Sequence, residues 1–116
     1  MDLTEINRGL SSIVTKCNSV YAEFARAKAE HESLDNHKKT ILAVCELKHN
    51  EGSQAEIARK GLADEDYRKH LVALDHSAVS YAQALANVKA LETKLACYQS
   101  LSKNYMREFG ATNTQS

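Results

Sequence analysis

Residues 3–45 read LTEINRGLSSIVTKCNSVYAEFARAKAEHESLDNHKKTILAVC, and their apolar side chains recur at the spacing of one long helix. Alternating steps of three and four residues visit Leu3, Ile6, Leu10, Ile13, Cys17, Val20, Phe24, Ala27, His31, Leu34, Lys38, Ile41 and Cys45. Only His31 and Lys38 in that series are not apolar. This heptad spacing is typical of a helix that packs along a second helix in a left-handed supercoil.

The boundaries of three helices can be predicted from capping residues. The first helix should cover 4–49, roughly 70 Å at about 1.5 Å per residue, with Asp2 or Thr4 as N-cap. Asn50 or Gly52 can take the left-handed conformation that ends it. A capping box at 53–56 opens a short helix over 54–60, which Gly61 ends. Acidic residues open a long helix over 64–109, followed by a polar tail over 110–116.

The second long helix has its own apolar stripe. It comprises Tyr67, Leu71, Leu74, Ala78, Tyr81, Leu85, Val88, Leu91, Leu95, Tyr98, Leu101 and Tyr105. The spacing of this stripe slips by one residue near Val88 and again near Tyr98. Folding it back on the first stripe predicts a register in which paired residue numbers sum to about 112, with His31 opposite Tyr81. The sequence therefore predicts an all-α fold, a single domain over 1–116. It is a long antiparallel helical hairpin, coiled-coil-like, with a short helix at the turn.

The first apolar stripe is wider than a two-helix contact needs. Val14, Tyr21 and Leu42 occupy the heptad position beside it, which is typical of a helix with more than one neighbour. A lone hairpin would leave much of this surface facing water. Assembly of two copies into a four-helix bundle would bury it, so we expect a homodimer.

Composition argues against several classes of protein. The 116 residues include 15 basic and 15 acidic side chains, no proline and three cysteines. A balanced charge lacks the footprint of a non-specific nucleic-acid binder. No stretch is long and apolar enough for a membrane span, and the N-terminus does not resemble a secretory signal. We therefore expect a cytoplasmic protein, without a membrane partner, whose cysteines are reduced.

Chemical motifs are sparse. Glu46 and His49 share a helical face, as in di-iron bundles, but the second copy of that motif is missing. Cys45 and His49 are one turn apart, yet a reactive cysteine needs exposure and a third group, and Cys45 is assigned to the core. The sequence contains no phosphate-binding loop or nucleophile signature. We therefore expect no enzyme, and no catalytic, metal or cofactor site.

Two sets of polar residues remain as candidates for function. Basic side chains near the predicted turn are a nucleic-acid candidate: Lys38, Lys39, Arg59, Lys60, Arg68 and Lys69. Acidic residues interleave with them, so a solvated, salt-bridged surface is the alternative. His31 and Lys38 on the stripe, with Tyr81 opposite His31, are candidates for setting register and oligomeric state.

The second half of the chain runs from Ala-Glu-Ile-Ala-Arg-Lys (55–60) through Asp-Tyr-Arg-Lys-His-Leu-Val-Ala-Leu (66–74) to Tyr-Gln-Ser-Leu (98–101). In these segments it resembles small helical proteins of bacteriophages and prophages. Such proteins tend to be encoded near recombination and replication genes, and the resemblance transfers no catalytic residue. It implies a phage accessory protein that binds a host or phage protein. The alternative is a nucleic-acid-binding accessory factor in recombination or replication.

Overall fold

Three helices make up the fold. A computed structural model describes the backbone of residues 2–114 and the side chains of residues 2–108. Helix α1 covers Leu3–Leu47, α2 covers Gln54–Ala63 and α3 covers Glu65–Thr114. No strand occurs in the described residues. The predicted all-α class, with two long helices and a short one between them, is confirmed.

Capping side chains fix where the helices begin. The Glu5 amide donates to Asp2 Oδ1 at 2.8 Å, so Asp2 caps α1. The Glu56 amide donates to Ser53 Oγ at 3.2 Å, which confirms the predicted cap of α2. Between these helices Gly52 has a φ of 101°, a conformation that side chains with a Cβ rarely adopt.

Three helix ends differ from the prediction by two residues or more. Helix α1 ends at Leu47 and not at 49, α2 continues past Gly61 to Ala63, and α3 continues past 109 to Thr114. Glycine inside a helix costs only about 1 kcal/mol relative to alanine, so neither Gly61 nor Gly110 must end one. The predicted tail is therefore helical as far as Thr114, and its last two residues lie outside the described residues.

Gly61 is conspicuous because it is buried where α2 meets the end of α1. A Cβ placed on Gly61 would lie 2.5 Å from Glu46 Cγ and 3.4 Å from Glu46 Cα. The absence of a side chain at Gly61 thus lets the two helices approach closely.

We expect Gly61→Ala to lower the free energy of unfolding by about 1 kcal/mol. Overpacking costs about 1–3 kcal/mol, and alanine's better helix propensity returns about 1 kcal/mol. Urea unfolding followed by circular dichroism measures the change. Lys60→Ala, at an exposed neighbouring position, is the control and should change stability by less than about 0.5 kcal/mol. A more stable Gly61→Ala variant would contradict the close packing.

The packed residues form two compact regions. The turn region is Ala25–Gln83, and the terminal region combines the residues up to Phe24 with those from Ala84 onward. Within the turn region His31 contacts Ser77 and Lys48 contacts Asp66. Within the terminal region Tyr21 donates to Glu92 Oε1 at 3.0 Å, and Gly9 lies against the Tyr98 ring. In each region, therefore, α1 and α3 run antiparallel.

Burial along α1 follows the predicted heptad. Ile6, Ile13, Ala27 and Cys45 are buried, and the other stripe positions are half-buried with one exception. The exception is Lys38, which is exposed because a long charged side chain can reach solvent from the edge of a helix contact.

Burial along α3 corrects the predicted stripe. The buried and half-buried residues include the series Tyr67, His70, Leu74, Ser77, Tyr81, Ala84, Val88, Leu91, Leu95, Tyr98, Ser102 and Tyr105, and the predicted Leu71 and Leu85 are half-buried beside it. The steps of this series alternate three and four without interruption, so the predicted slips are wrong. The core contact passes through the polar residues His70, Ser77 and Ser102, whereas Ala78 and Leu101 are exposed.

Candidate functional site

Asp64 organises the junction between all three helices. Its backbone amide donates to the Gly61 carbonyl at 3.2 Å and its carbonyl accepts from the Arg68 amide at 3.0 Å. Its Oδ1 accepts from the Asp66 amide at 2.8 Å. One residue therefore ends α2 and caps α3.

The same carboxylate holds the end of α1. Asp64 Oδ2 lies 3.0 Å from His49 Nε2, and Oδ1 lies 3.6 Å from Lys48 Nζ. Lys48 also pairs with Asp66, and the Cys45 thiol donates a hydrogen bond to Asp64. The Asp64 side chain is only 11% exposed. We call Cys45, Lys48, His49, Asp64 and Asp66 the Asp64 cluster.

Hydrogen bonds and burial set the pKa values of the Asp64 cluster. The Asp66 amide, followed by His49, lowers the pKa of Asp64 from 3.8 to about 2. Burial, followed by the hydrogen bond to Asp64, raises the pKa of the Cys45 thiol. A buried, protonated thiol is a poor nucleophile. The geometry of the cluster is therefore suited to joining helix ends.

We expect the Asp64→Asn variant to lose part of the acid sensitivity of the wild type. Because the folded-state pKa of Asp64 lies below its ordinary value, the unfolded chain binds more protons in that interval. The stabilisation from ionised Asp64 is fully present above about pH 4 and is lost as pH falls through about 2.

Urea unfolding at a series of pH values between 5 and about 2 measures this effect. The free energy of unfolding of Asp64→Asn should fall less steeply than that of the wild type. The control is Asp75→Asn. Asp75 is an exposed residue of α3, so this variant should keep the wild-type slope of unfolding free energy against pH. Equal slopes for both variants would contradict the role of Asp64.

The two residues considered for metal binding, Glu46 and His49, each make a contact with a different residue of the turn region. Glu46 packs against Gly61, and His49 contacts Asp64. Across the described residues no three His, Cys, Asp or Glu side chains are arranged to hold a metal ion.

His31 belongs to a polar network in the contact between α1 and α3. Its ring centroid lies 5.7 Å from that of Tyr81, so the predicted pairing is present. Its Nδ1 lies 2.9 Å from Ser77 Oγ, a partner that the sequence did not indicate. Nearby, His70 Nε2 donates to the Leu34 carbonyl at 2.7 Å. Each polar side chain in this contact thus has a specific partner.

The six basic residues of the nucleic-acid candidate all have exposed side chains: Lys38, Lys39, Arg59, Lys60, Arg68 and Lys69. Lys69 pairs with Glu65 at 3.4 Å. Arg68 and Lys69 are consecutive on α3, so they do not point to the same side of the helix. All six belong to the turn region, and they do not form a single stripe along one helix.

Large apolar side chains are also exposed on these helices. They are Val14, Tyr21, Val44, Leu47, Leu62, Val72, Val79, Leu101 and Met106. Val14 and Tyr21 lie at the positions that widened the predicted stripe. Val72 and Val79 lie two turns apart on one side of α3. They were not part of the apolar stripe predicted from the sequence.

Comparison with protein-family models, with curated proteins and with solved structures found no match. In the described part of the chain, no helix carries an apolar stretch long enough to cross a membrane.

Proposed function

We propose that this chain is a non-enzymatic, cytoplasmic interaction protein that forms a homodimer and binds a macromolecular partner. The observation that carries the proposal is the amount of large apolar surface left exposed. Leu47 is 71% exposed and Val79 is 66% exposed. Among the described residues nine large apolar side chains are exposed, whereas only eight apolar residues are buried. Exposed apolar patches on a folded chain mark sites of interaction with another protein.

A second copy of the chain is the occupant that fits this surface. The net charge is zero, so two copies have no overall repulsion to overcome. Antiparallel helix pairs commonly bury such surfaces by packing in twos as four-helix bundles. Val72 and Val79 on α3 offer an apolar edge for this contact in the turn region.

Light scattering coupled to size exclusion tests the homodimer. We expect a dimer for the wild type and a shift toward monomer for Val79→Glu, because a charge buried without a partner opposes association. Ser80→Glu adds the same charge at the next, exposed position of α3 and should remain dimeric. A monomeric wild type would refute the proposal.

The biological setting that we propose is a phage or prophage. Support comes from the resemblance of the second half of the chain to small helical phage proteins. The genes on either side provide the test. Neighbouring recombination or replication genes would support this setting, and a location outside any phage or prophage would refute it.

A second function, nucleic-acid binding, is favoured by one observation. Among the described residues, five of the six basic side chains have no ion-pair partner: Lys38, Lys39, Arg59, Lys60 and Arg68. Such cations remain available to phosphates.

Gel-shift titration on single- and double-stranded DNA tests this second function. Binding should weaken steeply with salt and be abolished by simultaneous charge reversal at Lys38, Lys39, Arg59 and Lys60. Reversal of Lys89, on another part of α3, is the matched control and should have little effect. Absence of binding at low salt would eliminate the second function.

A further inference from the structure

The terminal region contains a groove between α1 and α3 with a volume of about 380 Å³. That volume is near the lower end of the range typical of small-molecule sites. The groove is lined by Gly9, Ser12, Ile13, Lys16, Val20, Asn87, Ala90, Leu91, Lys94 and Tyr98.

The floor of the groove is apolar. Ile13 and Leu91 are buried beneath it, and Val20 is half-buried. At one end the Tyr98 ring lies directly against Gly9, where any added Cβ would overlap the ring. The lack of a side chain at Gly9 therefore lets an aromatic ring form one end of the floor.

Two lysines face the groove from opposite helices. Lys16 comes from α1 and Lys94 from α3, and both are exposed. Neither has an ion-pair partner in the described part of the chain, and the lining contains no acidic residue. Two positive charges beside the same groove repel each other, and an anion between them would replace that repulsion by attraction.

We propose that this groove binds a small organic anion with an apolar body, a monocarboxylate of medium chain length. The carboxylate accepts hydrogen bonds from the ammonium groups of Lys16 and Lys94, and the Asn87 amide is a further donor on the same groove. The alkyl chain covers Ile13, Leu91 and the Tyr98 ring. Both parts of the ligand are needed, because exposed lysines alone bind an anion weakly.

Binding of decanoate below its micelle concentration tests the site, with 1-decanol as the neutral ligand of the same length. Calorimetry gives the affinity, and amide chemical shifts locate the ligand. Decanoate should shift the amides of Lys16, Asn87 and Lys94, and decanol should bind more weakly. Replacing both Lys16 and Lys94 by glutamine should weaken decanoate binding, roughly two- to fivefold for each lysine. Lys89→Gln, on the same helix but outside the groove, should leave the affinity unchanged.

Three results would overturn the proposal. The first is equal affinity for decanoate and decanol, and the second is unchanged decanoate affinity in the double lysine variant. The third is a change of oligomeric state in the double variant without ligand, since the groove would then be a contact between copies. The first two readouts do not depend on whether the wild type is a dimer, so the site can fail while the proposed function stands.

Discussion

Replacement of Ile6 by alanine is expected to lower the free energy of unfolding by about 2–4 kcal/mol. Ile6 is 1% exposed and is one of the two largest fully buried side chains in the described residues. Truncation removes buried methyl and methylene groups and leaves a cavity that two rigid helices cannot easily close.

Urea unfolding at fixed protein concentration measures the Ile6→Ala effect, because any self-association would make stability depend on concentration. Lys28→Ala on the same helix is the control. Lys28 is exposed and does not belong to the exposed apolar surface, so its truncation should change stability by no more than about 0.5 kcal/mol. Equal losses in the two variants would show that Ile6 is not part of the core.

The position of Ile6 could be predicted from sequence because nearly every core position of α1 is apolar. When the residues at a and d positions are themselves hydrophobic, their spacing alone identifies the buried side of a helix. The same reasoning predicted that His31 meets Tyr81, and the structure confirms that pairing.

The buried side of α3 could not be predicted in the same way, because three of its core positions are polar. The apolar pattern placed the stripe at Ala78 and Leu101, which are exposed, whereas the neighbouring Ser77 is buried and Ser102 is half-buried. Adjacent residues lie about 100° apart on a helix, so an error of one residue moves the predicted position off the core side of α3. A strict seven-residue repeat that includes His70 and Ser77 would have predicted the buried side of α3 correctly.

The contacts of the Asp64 cluster could not be predicted from the sequence, for a different reason. An acidic start of α3 was predicted from charge and the helix dipole, and Asp64 does cap that helix. Its contacts with His49 and Cys45 join residues that are 15 or more positions apart. No local spacing predicts such contacts, because they depend on how α2 returns the chain to the end of α1.

The hydrogen bonds of Ser77 determine which nitrogen of His31 carries a proton in the His31–Ser77 contact. The Ser77 hydroxyl donates to the Leu74 carbonyl at 2.7 Å, which uses its only proton. His31 Nδ1, 2.9 Å from the same oxygen, must therefore carry a proton and donate it to Ser77. Ser77 is 3% exposed, so no solvent water replaces it readily. A serine that the apolar pattern passed over is thus the acceptor for the one histidine on the α1 stripe.

We expect Ser77→Ala to lower the free energy of unfolding by about 1–3 kcal/mol, because a partly buried donor on His31 loses its acceptor. Combining Ser77→Ala with His31→Leu removes both polar partners and should restore stability close to that of the wild type. Urea unfolding of the two single variants and the double variant gives a coupling free energy, which should be about 0.5–3 kcal/mol. Additive losses would mean that the two side chains do not interact.

If the contact also sets register, the double variant should keep its stability while light scattering and the number of amide resonances reveal more than one assembly. A single, wild-type assembly in that variant would leave His31 and Ser77 a stabilising pair and would refute their role in register.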